Sequence, residues 1–204
     1  MTFIRTLLVT IATILLSAPV TAQQAPPRQT RDTPDFRVDF KVQVRGVATA
    51  DFDSRITSYA ELRDRLQQGL PLLAVTDHPR DILRAEHALA KRIRKARRDA
   101  SGGEIFTPEI GTAFKAALLL ETRTETCAAI LDDNPGNFSF DVNDTYPKRR
   151  PLSSVPPGIL MLLPRLPADV YYRFLGQELI LHDTRANLIL DRLPNAIRCP
   201  DVVE

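Results

Sequence analysis

Residues 36–45 (FRVDFKVQVR) alternate strictly, with Phe36, Val38, Phe40, Val42 and Val44 apolar against Arg37, Asp39, Lys41, Gln43 and Arg45. A period of two over that length predicts a half-buried strand. The spacing then lengthens to that of a helix. Phe52, Ile56, Tyr59 and Leu66 mark one apolar stripe of a helix that opens near Thr49. Asp51 and Asp53 fall in its first turn, where carboxylates suit the dipole, and Gly69 and Pro71 stop it. A second helix takes Thr76 or Asp77 as N-cap and Pro79 in its first turn. Ile82, Leu89, Ile93 and Ala96 give its apolar face, and Gly102–Gly103 ends it. The third has Thr107 as cap, Pro108 at N1 and a stripe of Ile110, Phe114 and Leu118. Cys127, Ile130 and Leu131 sit on its continuation or on a short extra helix, before Pro135–Gly136.

Beyond that point the pattern shortens. Phe138, Phe140 and Val142 alternate with Ser139 and Asp141, which predicts a short strand. Pro147 to Pro157 reads as a loop, and Pro157–Leu163 as a short helix bracketed by prolines. Val170–Leu175 and Glu178–Asp183 flank Gly176–Gln177, a two-residue loop suited to a type II′ hairpin. A further strand, Leu188–Leu193, follows the turn at Thr184–Asn187. About three helices followed by a small antiparallel meander define an α+β fold.

The N-terminus changes the setting. Arg5 precedes an apolar stretch, Thr6 to Leu16, which Ser17 and Pro19 bound and which Val20, Thr21 and Ala22 follow. That arrangement predicts a cleaved secretory signal peptide over residues 1–22, too short for a comfortable membrane span. Residues 23–35 (QQAPPRQTRDTPD) are polar and proline-rich and read as a flexible linker. Residues 36–204 then form one domain, periplasmic or secreted, with no transmembrane anchor after cleavage. Two cysteines, Cys127 and Cys199, in an oxidising compartment predict a disulfide that pins the C-terminal tail onto a helix.

Composition adds exclusions. With 27 Lys and Arg against 25 Asp and Glu, the net charge is +2, too small for a general electrostatic nucleic-acid binder. Only 8 glycines are present, and no P-loop, dinucleotide fingerprint or nucleophile elbow occurs. No cofactor is implied. The largest charge run lies on the second helix, over residues 84–98: Arg84, Lys91, Arg92, Arg94, Lys95, Arg97 and Arg98. Read for function, it is a docking surface for a polyanion. Read for structure, it is a solvated face whose cations crowd the negative end of the helix dipole, and the crowding favours the second reading. His182 and Asp183, with Asp191 on the next strand and Asp77–His78 elsewhere, supply a candidate polar site only if the fold brings them together. Neighbours on a strand point to opposite faces, which argues against their acting together. The apolar run Ile159–Leu163 is either core or an exposed ledge for a partner, and burial is the favoured reading.

The stretches GGEIFTPEI (102–110), VNDTYP (142–147), PLSSVPPGILMLLPRLP (151–167) and YYRFLGQELILHDTRANLILDRLPNAI (171–197) occur in order. Together the chain resembles a family of uncharacterised exported bacterial proteins, which have Ile-Phe-Thr-Pro and a later Tyr-Arg-Phe-x-Gly hairpin. The resemblance implies an envelope or secreted setting and carries no activity, cofactor or catalytic residue. The leading expectation is therefore an exported, non-enzymatic domain that binds or scaffolds a protein or another envelope component. The alternatives are a hydrolase or metal-dependent enzyme using His182 and Asp183, and polyanion binding by the basic helix.

Overall fold

The computed structural model describes residues 36–70, 78–121, 124–136 and 138–199. The expected leader (1–22), the linker (23–35) and the expected caps Thr76 and Asp77 lie outside these residues. Five helices precede three strands: α1 (Phe36–Gln67), α2 (Pro79–Ala96), α3 (Pro108–Glu121), α4 (Thr124–Asp132), α5 (Pro157–Leu160), β1 (Val170–Leu175), β2 (Glu178–Asp183) and β3 (Leu188–Leu193). The strands form an antiparallel meander in the order β1-β2-β3, so the fold is α+β as the patterning predicts. Among the described residues no helix is long and apolar enough to cross a membrane.

The hairpin forms where its turn residues demand. Gly176 has φ 56°, the positive value that a type II′ turn needs at its first central position. Asn134 clamps this tip, its Oδ1 accepting from the Gly176 amide at 2.8 Å and its Nδ2 donating to the Gly176 carbonyl at 2.9 Å. One face of the meander meets the helices. Phe52 and Ile56 of α1, Ile93 of α2, and Ile110, Phe114 and Leu118 of α3 share a core with Phe174, Leu179, Leu181, Leu188 and Leu190. Phe52 centres it, its ring 5.0 Å from Phe114 and 5.8 Å from Phe106. A Cβ at Gly111 would lie 2.8 Å from Leu193 Cδ1, so glycine there lets α3 cross β3 closely. The other face holds a smaller cluster of Phe140, Tyr146, Leu175, Ile180 and Ile189.

Two expected strands are absent. Residues 36–45 belong to α1, not to a strand. Four of their five polar positions, Arg37, Lys41, Gln43 and Arg45, are sound helix formers, and extending a helix already nucleated downstream requires only one residue's ordering per added hydrogen bond. Residues 138–142 are a loop, not a strand. The chain meets β3 slightly later: the Asn143 amide donates to the Ile189 carbonyl (2.7 Å), the Ile189 amide to Asp144 (2.9 Å) and the Tyr146 amide to Asn187 (3.1 Å). Thr145 and Leu188 form a single bridge, which covers the β3 edge without adding a full strand.

Smaller corrections follow from packing. The α2 N-cap is His78, whose side chain makes no capping bond, with Pro79 at N1. Ile82 and Ala96 are exposed, while Ala85, Leu89, Ala90 and Ile93 form the buried stripe of α2. Thr107 caps α3 as expected, its Oγ1 accepting from the Ile110 amide at 3.4 Å. The proline-bracketed helix spans only Pro157–Leu160. Cys127 on α4 and Cys199 on the tail place their sulfurs 2.30 Å apart, at disulfide distance, with Cα atoms 5.5 Å apart.

Candidate functional site

Four constellations concentrate polar groups or leave apolar surface open, and they differ in what remains unspent.

The basic helix is largely absorbed into the fold. Arg97, expected on the surface, is buried, because it follows Leu89 and Ile93 at steps of four along the inward stripe. Its guanidinium donates to Glu104 Oε2 (2.7 Å), to the Leu190 carbonyl (3.0 Å) and to Asn143 Oδ1 (3.2 Å), and lies 5.3 Å from the Tyr59 ring centroid. Arg94 donates to the Asn143 carbonyl and to Thr145 Oγ1. Arg92 donates to the carbonyls of Leu66 and Gln68. Arg84 and Arg98 pair with Asp81 and Asp99 on the surface. Lys91 and Lys95 are exposed.

A polar cleft of about 580 Å³ lies between α1 and the end of α2, lined among others by Ser54, Arg55, Ser58, Arg97 and Glu104. Arg55 there is held by Asp51 at 3.0 Å and by the Glu104 carbonyl at 2.9 Å. Both arginines in this cleft are thus engaged within the domain.

The acids of the expected polar site are structural anchors. Asp191 is fully buried and accepts from the amides of Gly103 (2.8 Å), Ile105 (2.6 Å), Phe106 (2.7 Å) and Arg192 (2.8 Å). It therefore holds the 102–106 turn onto the sheet. Asp183 accepts from the Tyr59 hydroxyl (2.5 Å) and from the Arg185 and Ala186 amides, with Arg63 Nη1 3.5 Å away. Burial and the Asp183 carboxylate beside it push the Tyr59 hydroxyl far above its usual range, so it stays a donor.

His182 projects from the opposite face of β2. Arg173 Nε donates to its Nδ1 at 3.0 Å, and an arginine can only donate. The ring proton therefore sits on Nε2 and bonds Asn187 Oδ1 at 3.0 Å, while Asn187 Nδ2 donates to the Tyr146 carbonyl. Burial, against the opposing pull of the Asn187 hydrogen bond, lowers the His182 pKa to about 4. The imidazole is neutral at physiological pH with both nitrogens occupied, which leaves neither for a substrate or a metal. The structure does not bring His182 and Asp183 together. Among the described residues no group of three His, Cys, Asp or Glu side chains could hold a metal ion.

What His182 does is aim Arg173. The two lie diagonally across the β1–β2 pair, within reach for long side chains. Arg173 Nη1 also donates to the Ser153 carbonyl at 3.0 Å, and the guanidinium lies 5.6 Å from the exposed Tyr171 ring. Partial burial lowers its pKa, yet a guanidinium remains charged. Among the described residues these bonds use Nε and Nη1, and none uses Nη2.

Arg173 opens onto a groove of about 550 Å³ along the outer edge of β1, walled by Val155, Leu160, Leu163, Leu166, Val170 and Tyr171. Ser153 closes part of that strand edge, its Oγ accepting from the Phe174 amide and donating to the Phe174 carbonyl. The proline-bracketed run divides its residues here. Ile159 and Leu163 face inward, whereas Leu160, Met161 and Leu162 are 47%, 85% and 40% exposed. The favoured burial of the run therefore holds for only part of it. Three neighbouring apolar side chains stand open in this run, and of them Leu160 lines the groove.

Arg173, Ser153 and Asn187 escaped sequence reasoning. The only signal was the diagonal between Arg173 and His182, which the hairpin register makes legible once the turn is placed. No family model, no curated protein and no solved structure matches the chain, so its own residues carry the functional reading.

Proposed function

We propose that this chain is an exported binding domain that holds an apolar guest along the outer edge of β1. The observation that carries the reading is a groove of ligand size with apolar walls, one of them Leu160 from the exposed run of Leu160, Met161 and Leu162. Exposing three adjacent large apolar side chains costs hydrophobic stabilisation that repacking could recover. The proline brackets, Pro156–Pro157 before and Pro164 after, hold them outward. The buried His182, Asp183 and Asp191 are tied within the domain, which supports binding rather than chemistry. Export is supported by the leader pattern of residues 1–22 and by the disulfide-distance pair Cys127 and Cys199.

The test uses N-phenyl-1-naphthylamine, a neutral apolar probe whose fluorescence rises on leaving water. The mature chain is expected to bind it saturably. Leu160→Asp and Leu166→Asp, each placing a charge on the groove wall, are expected to weaken binding by about tenfold or more. Equal binding by the parent and both variants, each folded by circular dichroism, would overturn the reading.

A further inference from the structure

From the charge of the same groove we infer a ligand class: a monomeric amphiphile with a single acyl chain and an anionic carboxylate head, seated head-first on Arg173. This deepens the binding reading above and rests on it.

The groove is apolar along its walls, yet the charged side chains lining it are Arg165 and Arg173, with no acid in the lining. An acid outside the lining, Asp133, acts on Arg173. Its Oδ2 accepts from both the Ser154 amide and the Ser154 hydroxyl, and its negative charge offsets part of that on Arg173 from outside the lining. Arg165 is exposed, at the rim between Pro164 and Leu166. Two arginines in the lining against this one acid outside it leave the groove positive, which complements an anion attached to an apolar body.

Arg173 is also positioned as head-group arginines need to be. A free arginine loses considerable side-chain entropy when it grips a carboxylate. Here much of that ordering is already done: Nε is fixed by His182, Nη1 by Ser153 and one face by the Tyr171 ring. His182 is itself fixed through Asn187 to the Tyr146 carbonyl. A buried relay of four residues thus ends on one guanidinium at the groove. Structural stability alone would be served as well by an apolar pair at positions 173 and 182. The remaining Nη donors can make a charge-assisted bond to a carboxylate while the acyl chain lies against Leu160, Leu163, Leu166 and Val170.

A protein partner fits less well. The groove's volume of about 550 Å³ lies within the range of small-molecule pockets.

The experiment uses the full mature chain with its cysteines oxidised. N-phenyl-1-naphthylamine is the reporter, and dodecanoate and dodecanol compete for it below their critical aggregation concentrations. They share a chain length and differ in the head. Dodecanoate is expected to displace the probe at about tenfold lower concentration than dodecanol near neutral pH. Arg173→Gln is expected to abolish that preference, and Arg165→Gln to reduce it. The ratio of the two competitors within each variant is the readout, which a merely structural role for Arg173 would not move. Should Arg173→Gln fail to fold, Arg165→Gln and the loss of preference at high salt decide the matter. If the probe binds and the two competitors act equally, the head-group inference is overturned and the apolar groove stands. If the probe does not bind at all, both fall. Co-sedimentation with anionic phospholipid vesicles, with no displacement by monomeric dodecanoate, would overturn it in favour of a membrane surface.

Discussion

Asp191 and Arg173 are both charged groups drawn into the sheet, and they are used in opposite ways. The Asp191 carboxylate takes four backbone amides, its oxygens taken up within the domain, and holds the 102–106 turn on the helix side. Arg173 is steered by His182 and Ser153 but keeps donors to spare, beside apolar side chains that the fold leaves in water. A saturated charge maintains structure. A positioned but unsaturated one, next to exposed apolar surface, has work left for a ligand. The first kind of region should respond to mutation in stability, the second in binding.

The largest test of the saturated side is covalent. Reduction of Cys127–Cys199 releases a link spanning 72 residues, worth roughly 4 kcal/mol in the chain-entropy model. A clear drop in melting temperature with dithiothreitol is expected by calorimetry, and no shift would show that the link constrains little. Asp191→Ala orphans the Gly103, Ile105 and Phe106 amides at once. We expect a loss of about 3 kcal/mol or more in urea denaturation, with competitor preference in the groove unchanged for the folded fraction. If the preference collapses too, the two regions are coupled and the contrast fails.

His182 belongs to the Arg173 side and titrates. Its folded pKa of about 4 lies below the ordinary value of 6.5. Above pH 6.5 the ring is neutral in both the folded and the unfolded chain, and its contribution is constant. Between 6.5 and about 4 the unfolded chain takes up the proton and the folded one resists, so stability falls as pH falls. The loss amounts to roughly 3 kcal/mol across that window and then levels off. Denaturant midpoints followed against pH should show this slope, and His182→Gln should flatten it. An unchanged slope in the variant would assign it to other groups.

The smallest effect on stability comes from the open side. Met161→Ser removes a side chain that is 85% exposed, so its unfolding free energy should change by less than about 0.5 kcal/mol. A marked loss of stability would mean that Met161 packs in solution and that the ledge is not open.

The hairpin and α3 were legible because their signals are local. Gly176 supplies the positive φ that its turn requires, and Thr107-Pro108 caps and starts a helix without help from distant residues. The candidate groove was not legible. Its parts come from the loop after Pro151, the short α5 and β1, and nothing in 151–167 says which of its apolar residues turn inward. The segment 36–45 misled for a related reason. Alternation records what a strand would want, but a strand needs an edge to pair with. The β3 edge is taken by residues 143–146, and part of the β1 edge by Ser153.

The amino-acid order alone determined the meander, its turn, the main helical stripes and which two cysteines could meet, because each depends on neighbours or on a count. The tertiary structure decided how the charges are used. A register shift between Leu181 and His182 in the β2–β3 pairing brings Asp191 opposite Leu181, on the helix side. Strict alternation from Leu188 would have sent it to the other face. The packing of α2 buried Arg97, and the crossing of β1 with β2 set His182 against Arg173. Each outcome depends on which partner burial brings within a hydrogen bond, and only the folded chain holds that information.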